Sequence, residues 1–150
     1  TNTQPKGSFL PALNPITTTL GVTNASFVAQ TADWVPAHLL ATIRAAYRHP
    51  GFSFVRILQR CPKFTAPLFA EQARTPDLHQ MLVHPDGVTV PGLDKIYKRS
   101  LEHDPADIHR ARSLAEDQEL VHLGVFYRND SRGARPLCRL TPAYSRRSTH

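Results

Sequence analysis

Residues 25–62 read ASFVAQTADWVPAHLLATIRAAYRHPGFSFVRILQRCP, two short apolar runs separated by a segment with helical period. The runs, residues 25–30 and 52–58, are rich in Val, Ile and Phe, whose branched and aromatic side chains suit a pleated surface. Between them Leu39, Leu40, Ile43, Ala46 and Tyr47 fall on one stripe of a helix, and His38, Arg44 and Arg48 fall elsewhere. Asp33, or Val35 ahead of Pro36, opens that helix, because a proline lacks only an N–H that the first turn leaves unbonded anyway. His49-Pro50-Gly51 stops it. The second run is apolar on both alternating faces apart from Ser53 and Arg56, as expected of a parallel strand covered by helices on both sides. The stretch is therefore one strand–helix–strand unit, and the fold class is α/β with a mainly parallel sheet flanked by helices.

That geometry says where chemistry belongs. In open parallel sheets the ligand crevice lies beyond the carboxyl ends of the strands. Here those ends are Gln30-Thr31 and Gln59-Arg60-Cys61-Pro62, which puts Cys61 on the rim.

A chain of 150 residues suffices for one domain with a core. No apolar stretch approaches the roughly 20 residues of a membrane helix, and TNTQPKG at the start lacks the layout of a secretion signal. The expectation is a cytoplasmic protein. Residue 1 is Thr and the single Met is Met81, which favours a piece of something longer. Two Cys exclude a disulfide scaffold and, by themselves, a four-Cys metal site. The net charge of +6 invites a nucleic-acid reading. Residues 128–150, however, hold six Arg against one acid, so five of those six charges sit in the tail and the body is nearly neutral.

In chain order, residues 1–13 read as an extended loop, with Pro5, Gly7 and Pro11. Asn14-Pro15 caps and starts a short helix that Gly21 closes. After the central unit, residues 62–80 form a long excursion punctuated by Pro62, Pro67 and Pro76, with a helical turn near Leu68–Ala73. Leu78–Val83 reads as an edge strand, His84-Pro85-Asp86-Gly87 as a β-turn, and Val88-Thr89-Val90 as an answering hairpin arm. Asp94–Glu102 reads as helical. Asp104-Pro105-Ala106-Asp107 starts a helix whose packing face is Ile108, Ala111, Leu114 and Ala115. Glu119–Tyr127 is the last strand, followed by a basic tail without period.

No GxGxxG, P-loop, GxSxG or paired CxxC is present. None of the eight His pairs at helical metal spacing, and each taken singly reads as a surface or turn residue. Trp34 reads as a packing anchor. Cys138, in the tail, is incidental. Cys61 differs by position, since Pro62 after it matches the Cys-Pro ending of iron–sulfur ligand runs, although a Cys after a strand also serves as a small buried hydrophobe.

Several blocks taken together resemble a family. Leu13-Asn14-Pro15-Ile16 through Leu20-Gly21, Ala25–Ala29, Gly51–Val55, Leu58-Gln59-Arg60-Cys61-Pro62, His84-Pro85-Asp86-Gly87, Glu102-His103-Asp104-Pro105 and His122–Tyr127 look like the C-terminal half of the β subunit of thiamine-diphosphate-dependent 2-oxoacid:ferredoxin oxidoreductases. The likeness spans about residues 1–128. It implies that 1–128 is part of a thiamine-diphosphate-binding domain, ending in a helix–strand extension, and that 129–150 is a basic, disordered tail.

The resemblance implies oxidative decarboxylation of a 2-oxoacid, 2-oxoglutarate first and pyruvate second, with coenzyme A, and electrons leaving through a [4Fe-4S] cluster to ferredoxin. It implies thiamine diphosphate and Mg2+ as cofactors and an α subunit as partner. Cys61 matches the family's late cluster ligand. The family's GDGD stretch and its three earlier cluster Cys have no counterpart here, so this chain alone is expected to be inactive, with no catalytic or cofactor-binding residue of its own. Two other readings stand beside this one, a non-catalytic α/β scaffold and a protein that binds nucleic acid through its basic tail.

Overall fold

A computed structural model describes residues 12–22, 24–61, 63 and 67–132. Five strands form one sheet in the order β2-β1-β5-β3-β4. They are β1 Phe27–Ala32, β2 Ser53–Leu58, β3 His79–Val83, β4 Ser100–Glu102 and β5 Val121–Arg128, and the helices are α1 Pro15–Leu20, α2 Pro36–Arg48 and α3 Ile108–Glu116. β1 and β2 are parallel, as are β3 with β4 and β3 with β5; the β1–β5 pairing alone is antiparallel. The α/β, mostly parallel reading holds. The final helix and strand complete the sheet at its centre, with β5 between β1 and β3.

Each helix start follows local chemistry. Asn14 accepts from the Ile16 and Thr17 amides, and its own amide donates to the Ala115 carbonyl, which ties α1 to the end of α3. Thr18 and Thr19, poor helix formers, turn their hydroxyls back onto the Asn14 and Pro15 carbonyls. For α2 the opening is Val35 with Pro36 in the first turn. α3 begins three residues later than Asp104-Pro105 suggests. Asp107, whose carboxylate accepts from the His109 and Arg110 amides, is the cap, while Asp104 closes the preceding turn.

Strand alternation assigns the faces. Phe27 and Ala29 of β1 meet Ala41, Ala45 and Ala46 of α2, and Val28 on the opposite face packs with Ile16, Leu20, Ala111 and Ala115 of α1 and α3. The expected stripe of α2 is corrected here: Leu40 is 51% exposed, Ile43 42% and Tyr47 90%. Three alanines bring α2 close to the sheet, so its buried face also carries His38 and Thr42. His38 Nδ1 lies 2.9 Å from Thr31 Oγ1 and 3.4 Å from Thr42 Oγ1, which makes this polar contact tolerable inside. β2 is an edge strand with Ile57 exposed, so helices do not cover it fully on both faces.

Other expectations also change. β3 is interior to the sheet, and Asp94–Glu102 is a 3-10 turn at Leu93–Lys95 followed by strand β4. Among the described residues Val88-Thr89-Val90 has no strand partner, and Val88 and Val90 pack with Phe27 and Ala29 instead. The turn at His84–Gly87 forms as read. Five His are buried rather than exposed: His38, His49, His79, His103 and His122. Each has a hydrogen-bond partner, which is what allows it inside. Ser26, His49 and Asp130 stand in series, with Ser26 Oγ 2.9 Å from His49 Nε2 and His49 Nδ1 3.3 Å from Asp130. Ser26 is fully buried and its one hydroxyl proton goes to the Phe52 carbonyl, so the series braces the α2–β2 connection rather than activating a nucleophile.

Gly124 of β5 has φ +142°, and a Cβ there would lie 2.8 Å from Leu82 Cβ and 2.9 Å from the Leu82 carbonyl oxygen. Gly124→Ala therefore combines backbone strain with overpacking and is expected to cost about 2–4 kcal/mol in urea unfolding. A second expectation concerns acid. Burial lowers the His38 pKa from 6.5 to about 4, so the unfolded chain takes up this proton first. The His38 contribution is complete above about pH 6.5 and is lost as pH falls toward 4, amounting to about 3 kcal/mol. Urea midpoints at pH 7 and pH 4.5 should fall less for His38→Gln than for the parent.

Candidate functional site

The carboxyl ends of β1 and β2 are tied together before any side chain reaches solvent. The Asp33 amide donates to the Leu58 carbonyl at 2.9 Å, and the Asp33 carboxylate accepts from the Arg60 amide at 3.2 Å. Arg60 Nε stands 3.8 Å from Asp33, and its guanidinium lies 5.9 Å from the centre of the Trp34 ring. The segment entering Cys61 is thus clamped by an ion pair and a ring face.

Trp34 is more than a packing anchor. Its Nε1–H donates to His79 Nε2 at 3.0 Å, so that nitrogen is the bare one. His79 Nδ1 then carries the proton and donates to the Thr75 carbonyl at 3.2 Å. Burial lowers the His79 pKa although hydrogen bonding to the Thr75 and Pro76 backbone opposes this, which favours the neutral ring in this tautomer. Phe69 tilts against Trp34, and Tyr97 meets the His79 ring edge-on. Below them Ala32, Val35, Leu58 and Leu123 close the core.

Cys61 lies three residues beyond β2 and is half-buried, at the rim where the parallel-strand rule places it. Gln59 and Arg60 beside it are exposed, and Pro62 and Cys138 lie outside the described residues. Among the described residues no three His, Cys, Asp or Glu converge as a metal-holding group. Cys61 is thus not brought together with other such residues in the described part of the chain.

Sequence reasoning passed over a second group at this end of the sheet. Gln30 and Arg56 each interrupt an apolar strand, and they are register partners across β1 and β2. The signal was present, a polar residue at the fourth position of both FVAQTA and SFVRIL, but it acquires meaning only once the two strands are aligned.

The chain is similar to a protein described as 2-oxoacid:ferredoxin oxidoreductase subunit beta, from Sulfolobus sp, at 24% identity over 148 residues. The match covers 95% of this chain and 41% of that protein, so the chain spans about two fifths of the relative's length. No family model and no solved structure matches it. The likeness is distant. No helix among the described residues is long and apolar enough to cross a membrane.

Trp34→Phe keeps a ring against Phe69 and Arg60 but leaves the buried His79 Nε2 without its donor. The expected loss is about 1–3 kcal/mol of stability, with the nitrogen chemical shifts of His79 departing from the Nδ1–H pattern. A variant as stable as the parent would reduce Trp34 to packing alone.

Proposed function

We propose that this chain is part of the β subunit of a 2-oxoacid:ferredoxin oxidoreductase and that Cys61 is one of four thiolate ligands to a [4Fe-4S] cluster. The observation that carries the reading is the distant similarity along nearly the whole chain to a protein of that description. The place of Cys61, half-buried just past β2, is compatible with it. The complete enzyme would decarboxylate a 2-oxoacid, 2-oxoglutarate before pyruvate, with coenzyme A as acyl acceptor and ferredoxin as electron acceptor. It would do so in the cytoplasm together with an α subunit. Residues 1–128 would belong to the thiamine-diphosphate-binding domain, and 129–150 would be a basic tail.

Thiamine diphosphate, held with Mg2+ by a GDGD-bearing segment, would supply carbanion stabilisation. The residues described here would do something narrower. Cys61 would hold iron, and the Asp33–Arg60–Trp34 clamp would fix the direction of its approach. The Arg60 guanidinium, one residue away, favours the more negative reduced state of a nearby cluster and so raises its potential. This chain by itself would be inactive.

The test is anaerobic reconstitution of the whole subunit with iron and sulfide. Cys61→Ser is expected to lower bound iron from about four per subunit to background and to abolish the visible thiolate-to-iron absorbance. An unchanged spectrum removes the assignment of Cys61. The encoded sequence ahead of Thr1 tests the broader reading: GDGD with three Cys is expected, and their absence favours a scaffold of the same fold.

A further inference from the structure

Of the five buried histidines, His79 is the one whose two ring nitrogens are both hydrogen-bonded; His38, His49, His103 and His122 each leave one nitrogen without a hydrogen bond. Those four have an uncommitted nitrogen in the ring, and His79 has none. It is 1% exposed, its Nδ1–H donates to the Thr75 carbonyl at 3.2 Å, and its Nε2 accepts from the Trp34 indole at 3.0 Å. An indole nitrogen can only donate, so a second proton, placed on Nε2, would set donor against donor across that short contact.

The groups packed around the ring do not compensate such a proton. Tyr97 meets it edge-on, and burial pushes that phenol above its ordinary range, so it stays neutral. Thr75 and Pro76 offer backbone only. On the Trp34 side the charged group is the Arg60 guanidinium, itself a cation. Among the described residues no carboxylate forms an ion pair with His79. Trp34 in turn is tied to the rim. The Arg60 guanidinium lies over its ring, and the Arg60 amide donates to Asp33, the residue before it. Asp33 Oδ1 is buried without a hydrogen bond, with Arg60 Nε 3.8 Å from it, so the clamp has little bonding of its own and leans on the place of the indole.

We propose that the Trp34–His79 hydrogen bond is a proton-sensitive latch on the rim of the sheet. Closed while the imidazole is neutral, it holds the indole against Arg60 and with it the segment that leads into Cys61; a proton on His79 opens it. Burial already disfavours that proton, which puts the opening below the ordinary histidine value of 6.5. The contribution of the bond is therefore complete above pH 6.5 and is lost as pH falls through the lowered value. The latch concerns the order of the rim, whatever Cys61 binds, and it stands or falls apart from the cluster reading.

Trp34 is the single tryptophan, so the 150-residue chain carries its own reporter. The test is an acid titration from about pH 8 downward, followed through the Trp34 Nε1–H and Arg60 amide resonances, the His79 ring nitrogens and tryptophan fluorescence, with circular dichroism recording global unfolding. The indole proton should leave its hydrogen-bonded position, and the Arg60 amide and the fluorescence should move with it. All three should share the midpoint of the His79 nitrogens, below 6.5, while the circular dichroism is unchanged. His79→Gln keeps an acceptor for the indole and a donor for Thr75 but takes up no proton, so this transition should be lost. His38→Gln should leave the midpoint where it is. The latch is overturned if the transition persists in His79→Gln, or if His79 takes up its proton while the Trp34 resonance stays in place, a result that needs no variant. It is overturned as well if nothing moves until the circular dichroism reports loss of helix, the outcome of acid unfolding alone.

Discussion

The antiparallel pairing of β1 with β5 holds this structure together. β1 and β2 run one way and β3, β4 and β5 the other, so each side of that seam is a small parallel group unable to bury both faces alone. The seam carries a register shift between Val28 and Ala29, and the residue it opposes to Gln30 is Gly124. Because Gly124 has no side chain, Leu82 sits directly over the strand, and the two groups of strands share one continuous core. A late segment of the chain is therefore the middle of the sheet, and the β1–α2–β2 unit is its flank.

How much was legible depended on whether the deciding interaction was local. Asn14-Pro15, Val35-Pro36 and His84–Gly87 act within four residues of themselves, and each formed as read. The parallel pairing of β1 with β2 and the packing face of α3 were also readable, since both rest on a single period. The outward turn of Leu40, Ile43 and Tyr47 was not, because a helix with two candidate faces is oriented by what it lands on. Here the alanine face permits the closer approach. The short β4 and the interior place of β3 depend on partners far away in sequence, which no local pattern announces.

The candidate site divides in the same way. The location of Cys61 followed from one topological rule. Its surroundings did not, because the clamp of Asp33, Trp34, Arg60 and His79 joins β1, β2 and β3. The buried histidines show the difference most clearly. Read singly they look like solvent-facing residues, yet a threonine hydroxyl, an indole N–H, a backbone carbonyl or a carboxylate meets each one inside. A histidine's partner usually lies on another element, so its burial becomes visible only with the fold.

The two borders of the sheet differ in kind. β4 is three residues long, too brief to template another strand, and it forms a natural stop. β2 is six residues long and carries a full row of backbone donors and acceptors on its outer side, next to a helix whose outward surface is greasy. The two borders are thus unequal: β2 offers a long open edge, whereas the three-residue β4 gives an arriving strand little to hold.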